Sequence, residues 1–391
     1  MNILIANTQE MNPTIGGVER ISHAYAKQLQ ELGHGVWFTA CLQSPYSQPY
    51  TPAAPQRILP DSQYNTARNL QALCAYLQEN RVDIIHNQAG NIPEFTELCA
   101  EAAEKLGIPL VSVVHTDPMY QLRSLRDFRF SNVLPAENFK GIVRMALYPF
   151  RIGKTKKHIQ STYRRILDIS AATVVLSPSY IGPLKRIAPK ANILAIPNWL
   201  PFEGEMPPNE KEDTVLYVGR LNFEHKRPDR LLDIWRQICN AFPDWTLKLA
   251  GDGPAGESLR LFVQKKHIPR VQFLGFCDPQ EEYRKAKILC QTSTIEGLSM
   301  VLLEAMAYGC VPVVYDSYAA VYDVIDSGSN GFVVKAFRRR AFIKTLKQLM
   351  SDENLRSAAG EAASSIENRF QKKAIVESWL DLYRRCLEEN E

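Results

Sequence analysis

Short runs of β-branched and aliphatic residues recur along this chain, and most are separated by stretches with helical spacing of their apolar residues. Residues 3–6, 36–40, 84–86, 110–115, 173–176 and 193–196 read as strands, and 18–32, 66–79 and 93–106 as helices. Strands that are apolar throughout, rather than alternating, belong in sheets buried on both faces. That is the environment of parallel strands joined by crossover helices. After Pro197, Pro201, Pro207 and Pro208 the same alternation starts again. Strands are predicted at 214–218, 246–250, 271–274, 288–291 and 311–315, and helices at 228–241, 256–266 and 279–286. No internal repeat and no low-complexity segment breaks this reading.

The expected organisation is therefore two doubly wound α/β domains with a proline-rich linker. The first covers 1–197, the linker 198–213 and the second 214–370. An amphipathic helix at 371–389 closes the chain, and the segment 371–391 is expected to pack back on the first domain. A chain of 391 residues is long enough for two cores. Ligands of such sheets bind at the carboxyl ends of the strands. Two such edges are expected to face each other across a central cleft.

Composition narrows the function classes. The net charge of +4 carries no global signature of polyanion binding, and nucleic acid is not expected as a partner. The eight cysteines form no CxxC pair, which suits reduced thiols in a cytoplasmic protein rather than a disulfide framework or a zinc site. The first residues lack the cationic region of a signal peptide. No apolar run approaches the roughly 20 residues of a transmembrane helix. The expected location is cytoplasmic, with peripheral attachment to the inner face of the cytoplasmic membrane left open.

Several short motifs fall where strands end. Gly16-Gly17 follows the first strand, where paired glycines admit a ligand close to the backbone; a plain tight turn is the other reading. Gly219-Arg220, with Lys226 six residues on, places two cations after the first strand of the second domain. Arg forks onto phosphate oxygens and Lys offers a point charge, unless the loop is merely solvated. Gly251-Asp252-Gly253-Pro254 makes another sharp turn at the same edge. Glu296 and Glu304 flank an apolar helical segment. The expectation is Glu296 at the helix mouth and Glu304 two turns further in, where the helix N-terminus favours an anion. A solvated glutamate face is the alternative. His115, and less strongly His86, end strands of the first domain.

Glu296-x7-Glu304, within Glu-Gly-Leu-Ser-Met-Val-Leu-Leu-Glu-Ala-Met-Ala-Tyr-Gly, resembles the signature of the retaining GT-B-fold glycosyltransferases of family 4. The resemblance continues through Gly16-Gly17-Val18-Glu19, Val113-Val114-His115, Ile196-Pro197-Asn198, Gly219-Arg220 with Lys226, Ala250-Gly251-Asp252-Gly253-Pro254 and Ser329-Asn330-Gly331-Phe332. It covers nearly the full chain in order, most closely 214–334. It implies a GT-B fold of two Rossmann-like domains around a nucleotide-sugar donor.

It also implies roles. Arg220 and Lys226 would neutralise the departing diphosphate, Glu304 would hold the ribose, and Glu296 would lie by the donor sugar. Gly219, Gly251 and Gly297 would join the donor site. The backbone N–H groups of Leu298, Ser299, Met300 and Val301 would meet phosphates and sugar, and Gly16 and Gly17 would approach the diphosphate and acceptor. His115 would contact the donor sugar near the reaction centre. No Asp-x-Asp triplet occurs, which agrees with a metal-free enzyme needing no cofactor beyond the donor. Many relatives carry Phe-Gly where this chain has Leu298-Ser299-Met300, so the donor sugar is left unassigned.

Between residues 120 and 166 the alternation lapses. Arg123, Arg126, Arg129, Lys140, Arg144, Arg151, Lys154, Lys156, Lys157, Arg164 and Arg165 face only Asp127 and Glu137, with aromatic residues interleaved. An anionic lipid surface or a phosphate-bearing acceptor fits this segment, and a solvated helical face is the plain alternative. The function implied is transfer of a hexose or N-acetylhexosamine, from a UDP-linked donor, to a saccharide or lipid-linked saccharide of surface polysaccharide or lipopolysaccharide. A GT-B sugar phosphorylase, a nucleotide-sugar epimerase and a non-catalytic nucleotide-sugar binding protein are the competing readings.

Overall fold

The computed structural model describes residues 1–14, 16–43, 50–130, 148–201 and 211–390, with the backbone alone for 126–130. The chain divides into two compact units. One comprises Met1–Pro118, Lys156–Asn198 and Lys373–Glu391; the other comprises Met119–Thr155 and Trp199–Lys372.

The first unit holds seven strands: β1 (Asn2–Gln9), β2 (Gly35–Leu42), β3 (Gln56–Ile58), β4 (Ile84–Asn87), β5 (Leu110–Val114), β6 (Ala172–Val175) and β7 (Ile193–Ala195). Every pairing is parallel, in the order β3-β2-β1-β4-β5-β6-β7. β4, β5 and β6 are buried at every residue, which is why their sequences show no polar alternation. The order reverses between β1 and β4, and there the crossovers leave a crevice at the carboxyl ends.

The helix Lys372–Glu388 packs into this unit. Its Trp379 Nε1 donates to the Tyr25 hydroxyl at 2.5 Å, and its Tyr383 hydroxyl lies 2.5 Å from Nδ1 of His86. Trp379 and Tyr383 are fully buried, each removing an aromatic ring from water at a gain of about 1.5–3 kcal/mol.

The second unit holds β8 (Glu212–Val218), β9 (Thr246–Ala250), β10 (Val271–Gly275), β11 (Ala286–Gln291), β12 (Val311–Tyr315) and β13 (Phe332–Val334). Their order is β10-β9-β8-β11-β12-β13, again parallel throughout, with the reversal between β8 and β11. Trp235, Leu231 and Leu247 pack with Phe342 and Leu346 in one continuous core. Both doubly wound sheets stand as the sequence predicts. Elements it did not predict include the three-residue edge strands β3 and β13 and the helices Ile181–Lys185, Val321–Val324, Arg339–Ser351 and Glu353–Ser364.

Two corrections concern the basic segment and the glutamate helix. Two helices occupy the described parts of residues 120–166, Tyr120–Phe130 and Tyr148–Leu167. Lys140, Arg144 and Glu137 lie outside the described residues, as do the side chains of Arg126, Asp127 and Arg129. Helix Tyr148–Leu167 is amphipathic: Ile159, Tyr163, Ile166 and Leu167 are buried, while Arg151, Lys154, Lys156, Lys157 and Arg164 are exposed. Arg165 is committed to Glu97, with both guanidinium contacts at 2.9 Å. Among the described residues no helix is long and apolar enough to cross a membrane.

The helix at the glutamate motif spans only Met300–Ala307. Glu296 therefore lies in the preceding loop, and Glu304 sits about one turn into the helix rather than two. Ser299 sets this start. It occupies the N-cap with extended backbone, and its side chain accepts from the Leu302 N–H.

Candidate active site

The reversal between β8 and β11 brings together residues some seventy positions apart in sequence. Gly219 follows β8 with φ of +148°, a conformation that favours glycine. Gly251, following β9, packs directly against it: a Cβ there would stand 2.1 Å from the Gly219 carbonyl oxygen, at φ +133°. A Cβ at Gly253 would likewise fall 2.6 Å from the Leu221 carbonyl oxygen. These glycines let adjacent strand-end turns nest in contact, which fixes the path of the loop that carries Arg220.

Asn222 then folds that loop, its Oδ1 accepting from the N–H groups of His225 at 3.1 Å and Lys226 at 2.9 Å. Backbone and side chain tie it to the loop after β11. Thr294 N–H donates to the His225 carbonyl at 2.6 Å, and the Thr292 hydroxyl to the Arg227 carbonyl at 2.8 Å. The result places Lys226 Nζ 2.8 and 2.9 Å from the two oxygens of Glu296.

This pair governs the electrostatics of the site. The Glu296 side chain is 8% exposed and that of Lys226 26%. A carboxylate so buried requires a compensating charge and hydrogen bonds. Gln291, at the end of β11, supplies the second: its Nε2 donates to Glu296 Oε1 at 3.2 Å and to the Ser299 hydroxyl at 2.7 Å. Tyr318 orients the amide by donating its hydroxyl to Gln291 Oε1 at 3.0 Å. Burial, with Glu296 nearby, holds the Tyr318 phenol well above its ordinary pKa, so it stays a donor. Arg220 is exposed, and its guanidinium forms no ion pair among the described residues. The site thus offers an exposed guanidinium in the same loop as a lysine whose partner is a carboxylate.

Glu304 is buried on the helix Met300–Ala307 and accepts from the Tyr283 hydroxyl at 2.9 Å. Tyr283 stacks on Tyr308, with ring centroids 6.0 Å apart. Gly297, Leu298 and Ser299 are buried in the loop before this helix, and Met300 and Val301 are half-buried in its first turn, where backbone N–H groups lack helical partners. Gln291, Tyr318 and Tyr283 were not predicted from the sequence. A polar residue ending an apolar strand was the only signal for Gln291, and the two tyrosines carried none.

In the first unit, Gly16 and Gly17 follow β1, and Gly17 opens the helix Gly17–Glu31. A Cβ on Gly16 would lie 2.7 Å from Glu19 Oε2, so glycine leaves room for that buried carboxylate; a Cβ on Gly17 would meet nothing within 4 Å. Glu19 accepts from Asn7 Nδ2 at 3.1 Å, and burial raises its pKa. His115 follows β5, with Nε2 2.5 Å from Gln88 Oε1, and burial lowers its pKa to about 4, so the imidazole is neutral at physiological pH. His86 is fully buried among Tyr25, Trp379 and Tyr383.

Comparison with known proteins bears on this arrangement. Residues 15–201 match the family described as Glycosyltransferase Family 4, and residues 202–365 match Glycosyl transferases group 1. The amylovoran biosynthesis glycosyltransferase AmsD of Erwinia amylovora is 30% identical over 200 residues, which is 49% of this chain and 56% of AmsD. An α-1,4-N-acetyl-D-galactosaminyltransferase of Campylobacter jejuni, acting on a GalNAc-containing diNAcBac-PP-undecaprenol, is 31% identical over 175 residues, 44% of this chain and 48% of the relative. The aligned stretch spans about half the length of each of these relatives. Anabaena HepE in complex with UDP shares the fold at a TM-score of 0.71 and 16% identity, with 98% of this chain and 100% of HepE covered. With both family matches in sequence order and the fold shared along the chain, the protein belongs to the GT-B glycosyltransferases of family 4.

Proposed function

We propose that this protein is a retaining, metal-independent glycosyltransferase. It would move a hexose or N-acetylhexosamine from a UDP-linked donor to a saccharide acceptor, lipid-linked, in surface polysaccharide or lipopolysaccharide assembly. The observation that carries the reading is the cationic edge at the β8–β11 reversal, where exposed Arg220 stands in the same loop as Lys226, which pairs with Glu296 from the loop after β11. In transfer, the bond between the sugar C1 and the β-phosphate oxygen breaks, and the acceptor oxygen bonds to C1. Arg220 and Lys226 take up the charge appearing on the leaving diphosphate, in the place a metal occupies elsewhere.

Glu304 holds the ribose hydroxyls, Glu296 lies by the donor sugar, and the loop from Gly297 to Val301, with Gly219 and Gly251, shapes the rest of the donor site. Neutral His115 acts on the sugar as a hydrogen-bonding group, and Gly16 and Gly17 admit diphosphate and acceptor. Retention proceeds on one face of the sugar, with the acceptor proton passing to the leaving phosphate. The uridine choice is supported by the UDP bound to HepE, and the lipid-linked acceptor by the undecaprenol-linked glycan named for the Campylobacter relative. No cofactor besides the donor is required. A thermal-shift panel tests the reading, since a ligand of the folded state raises its apparent stability: UDP and UDP-hexoses stabilise the protein, whereas stabilisation by GDP alone or by inorganic phosphate alone refutes it.

The protein acts at the inner face of the cytoplasmic membrane. Helix Tyr148–Leu167 supports this with its exposed basic residues and with Phe150, which is 72% exposed at its start. The protein is expected to sediment with vesicles containing phosphatidylglycerol and to remain in the supernatant with pure phosphatidylcholine. Sedimentation with both, or with neither, counts against membrane attachment by charge.

A further inference from the structure

The proposed transfer gives His86 no task, yet this residue is built into the first unit with care. It lies in β4, fully buried, with its ring 4.7 Å from that of Trp379. Its Nδ1 meets the Tyr383 hydroxyl at 2.5 Å. The Tyr383 phenol is held well above its ordinary pKa by burial and remains protonated, so its hydroxyl can donate to Nδ1 or accept from it. His86 Nε2 makes no well-formed hydrogen bond among the described residues.

Gln88 lies in the turn just after β4, with its side chain within hydrogen-bonding reach of the His86 ring. It is 2% exposed. Its Oε1 receives His115 Nε2 at 2.5 Å, while its own Nε2 is unpartnered. A carbonyl oxygen only accepts, so His115 carries its proton on Nε2 and keeps a lone pair on Nδ1. Two buried polar groups without well-formed hydrogen bonds, side by side, are costly to the fold. They persist where the surrounding contacts over-determine the arrangement.

We infer that Gln88 is a positioning residue for His115, and that Tyr383 and His86 confine Gln88, so that the helix Lys372–Glu388 sets the tautomer of the imidazole at the end of β5. The role is positioning only: none of Gln88, His86 and Tyr383 need touch the substrate. The inference rests on the reading of His115 as a contact of the donor sugar.

Histidine nitrogen-15 NMR of the full chain tests it without requiring turnover. His115 is expected as the Nε2–H tautomer in the native protein and as a mixture or the Nδ1–H form in Gln88→Leu. Gln88→Glu, which still offers an acceptor, keeps the native tautomer. In parallel, hydrolysis of UDP-glucose, UDP-galactose and their N-acetylated counterparts is followed in Gln88→Leu. The rate constant falls roughly 10- to 100-fold at unchanged donor KM, as for a displaced active-site group, and Gln88→Glu restores most of it. An unchanged tautomer in Gln88→Leu, or an unchanged rate constant, overturns the inference. His115→Ala separates the two claims. If it is inactive while Gln88→Leu is native in tautomer and rate, the positioning role alone fails; if it turns over at the native rate, the reading of His115 and the inference fall together.

Discussion

Arg220→Ala is expected to abolish the thermal stabilisation of this protein by UDP and to weaken UDP binding by roughly 10- to 150-fold. The magnitude follows from charge-assisted hydrogen bonds, each worth about 1.5–3 kcal/mol, at a group with no competing carboxylate. Arg220 is exposed in the loop shaped by Gly219, Gly251 and Asn222, so its removal leaves no buried partner unpaired and the unliganded protein should melt as before. Lysine at the same position restores charge but not the fork, and recovers only part of the affinity. Native UDP affinity in Arg220→Ala, measured by titration calorimetry, would remove this residue from the donor site.

Glu296→Gln is expected to move binding and transfer in opposite directions. In the unliganded site, the Glu296 carboxylate holds Lys226 at 2.8 and 2.9 Å. A diphosphate must share that lysine with a charge already in contact. Replacing the carboxylate with an amide of the same shape frees the ammonium and removes repulsion of the ligand, so UDP binds several-fold tighter. Lys226 is 26% exposed and loses its ion-pair partner, so the unliganded variant should melt lower. Transfer or hydrolysis of a UDP-hexose falls by about two orders of magnitude, the loss typical when a group aimed at the reacting centre is removed. A variant weakened equally in UDP binding and turnover would assign Glu296 to the diphosphate instead of the sugar. A variant unchanged in both would assign it to structure alone.

Much of this architecture is legible in the sequence because parallel strands buried on both faces must be apolar throughout. β12 reads as an uninterrupted run for that reason, and β5 is interrupted only by Ser112. The edge strands β3 and β13 are three residues long and were missed, whereas the equally short edge strand β7 was visible because Ile193-Leu194-Ala195 continues into Ile196 as an apolar run. The glutamate pair was visible as a motif, but the helix start was not. It depends on Ser299 reaching the Leu302 N–H, one small polar residue among several in that stretch. The meeting of Lys226 with Glu296 was beyond reach, because it depends on β8 and β11 being neighbours in a sheet whose order is a property of topology. Gln291 and Tyr318 were invisible for a related reason. Their importance lies in the hydrogen bonds they share with Glu296 and Ser299, and single buried polar residues leave no pattern in a sequence.

The most direct test of the donor site is titration of UDP into the purified protein in the presence of EDTA. One-site binding that survives the chelator, is lost in Arg220→Ala and is tightened in Glu296→Gln is the predicted result. Binding that appears only after Mg²⁺ or Mn²⁺ is added, and is indifferent to Arg220, would contradict it.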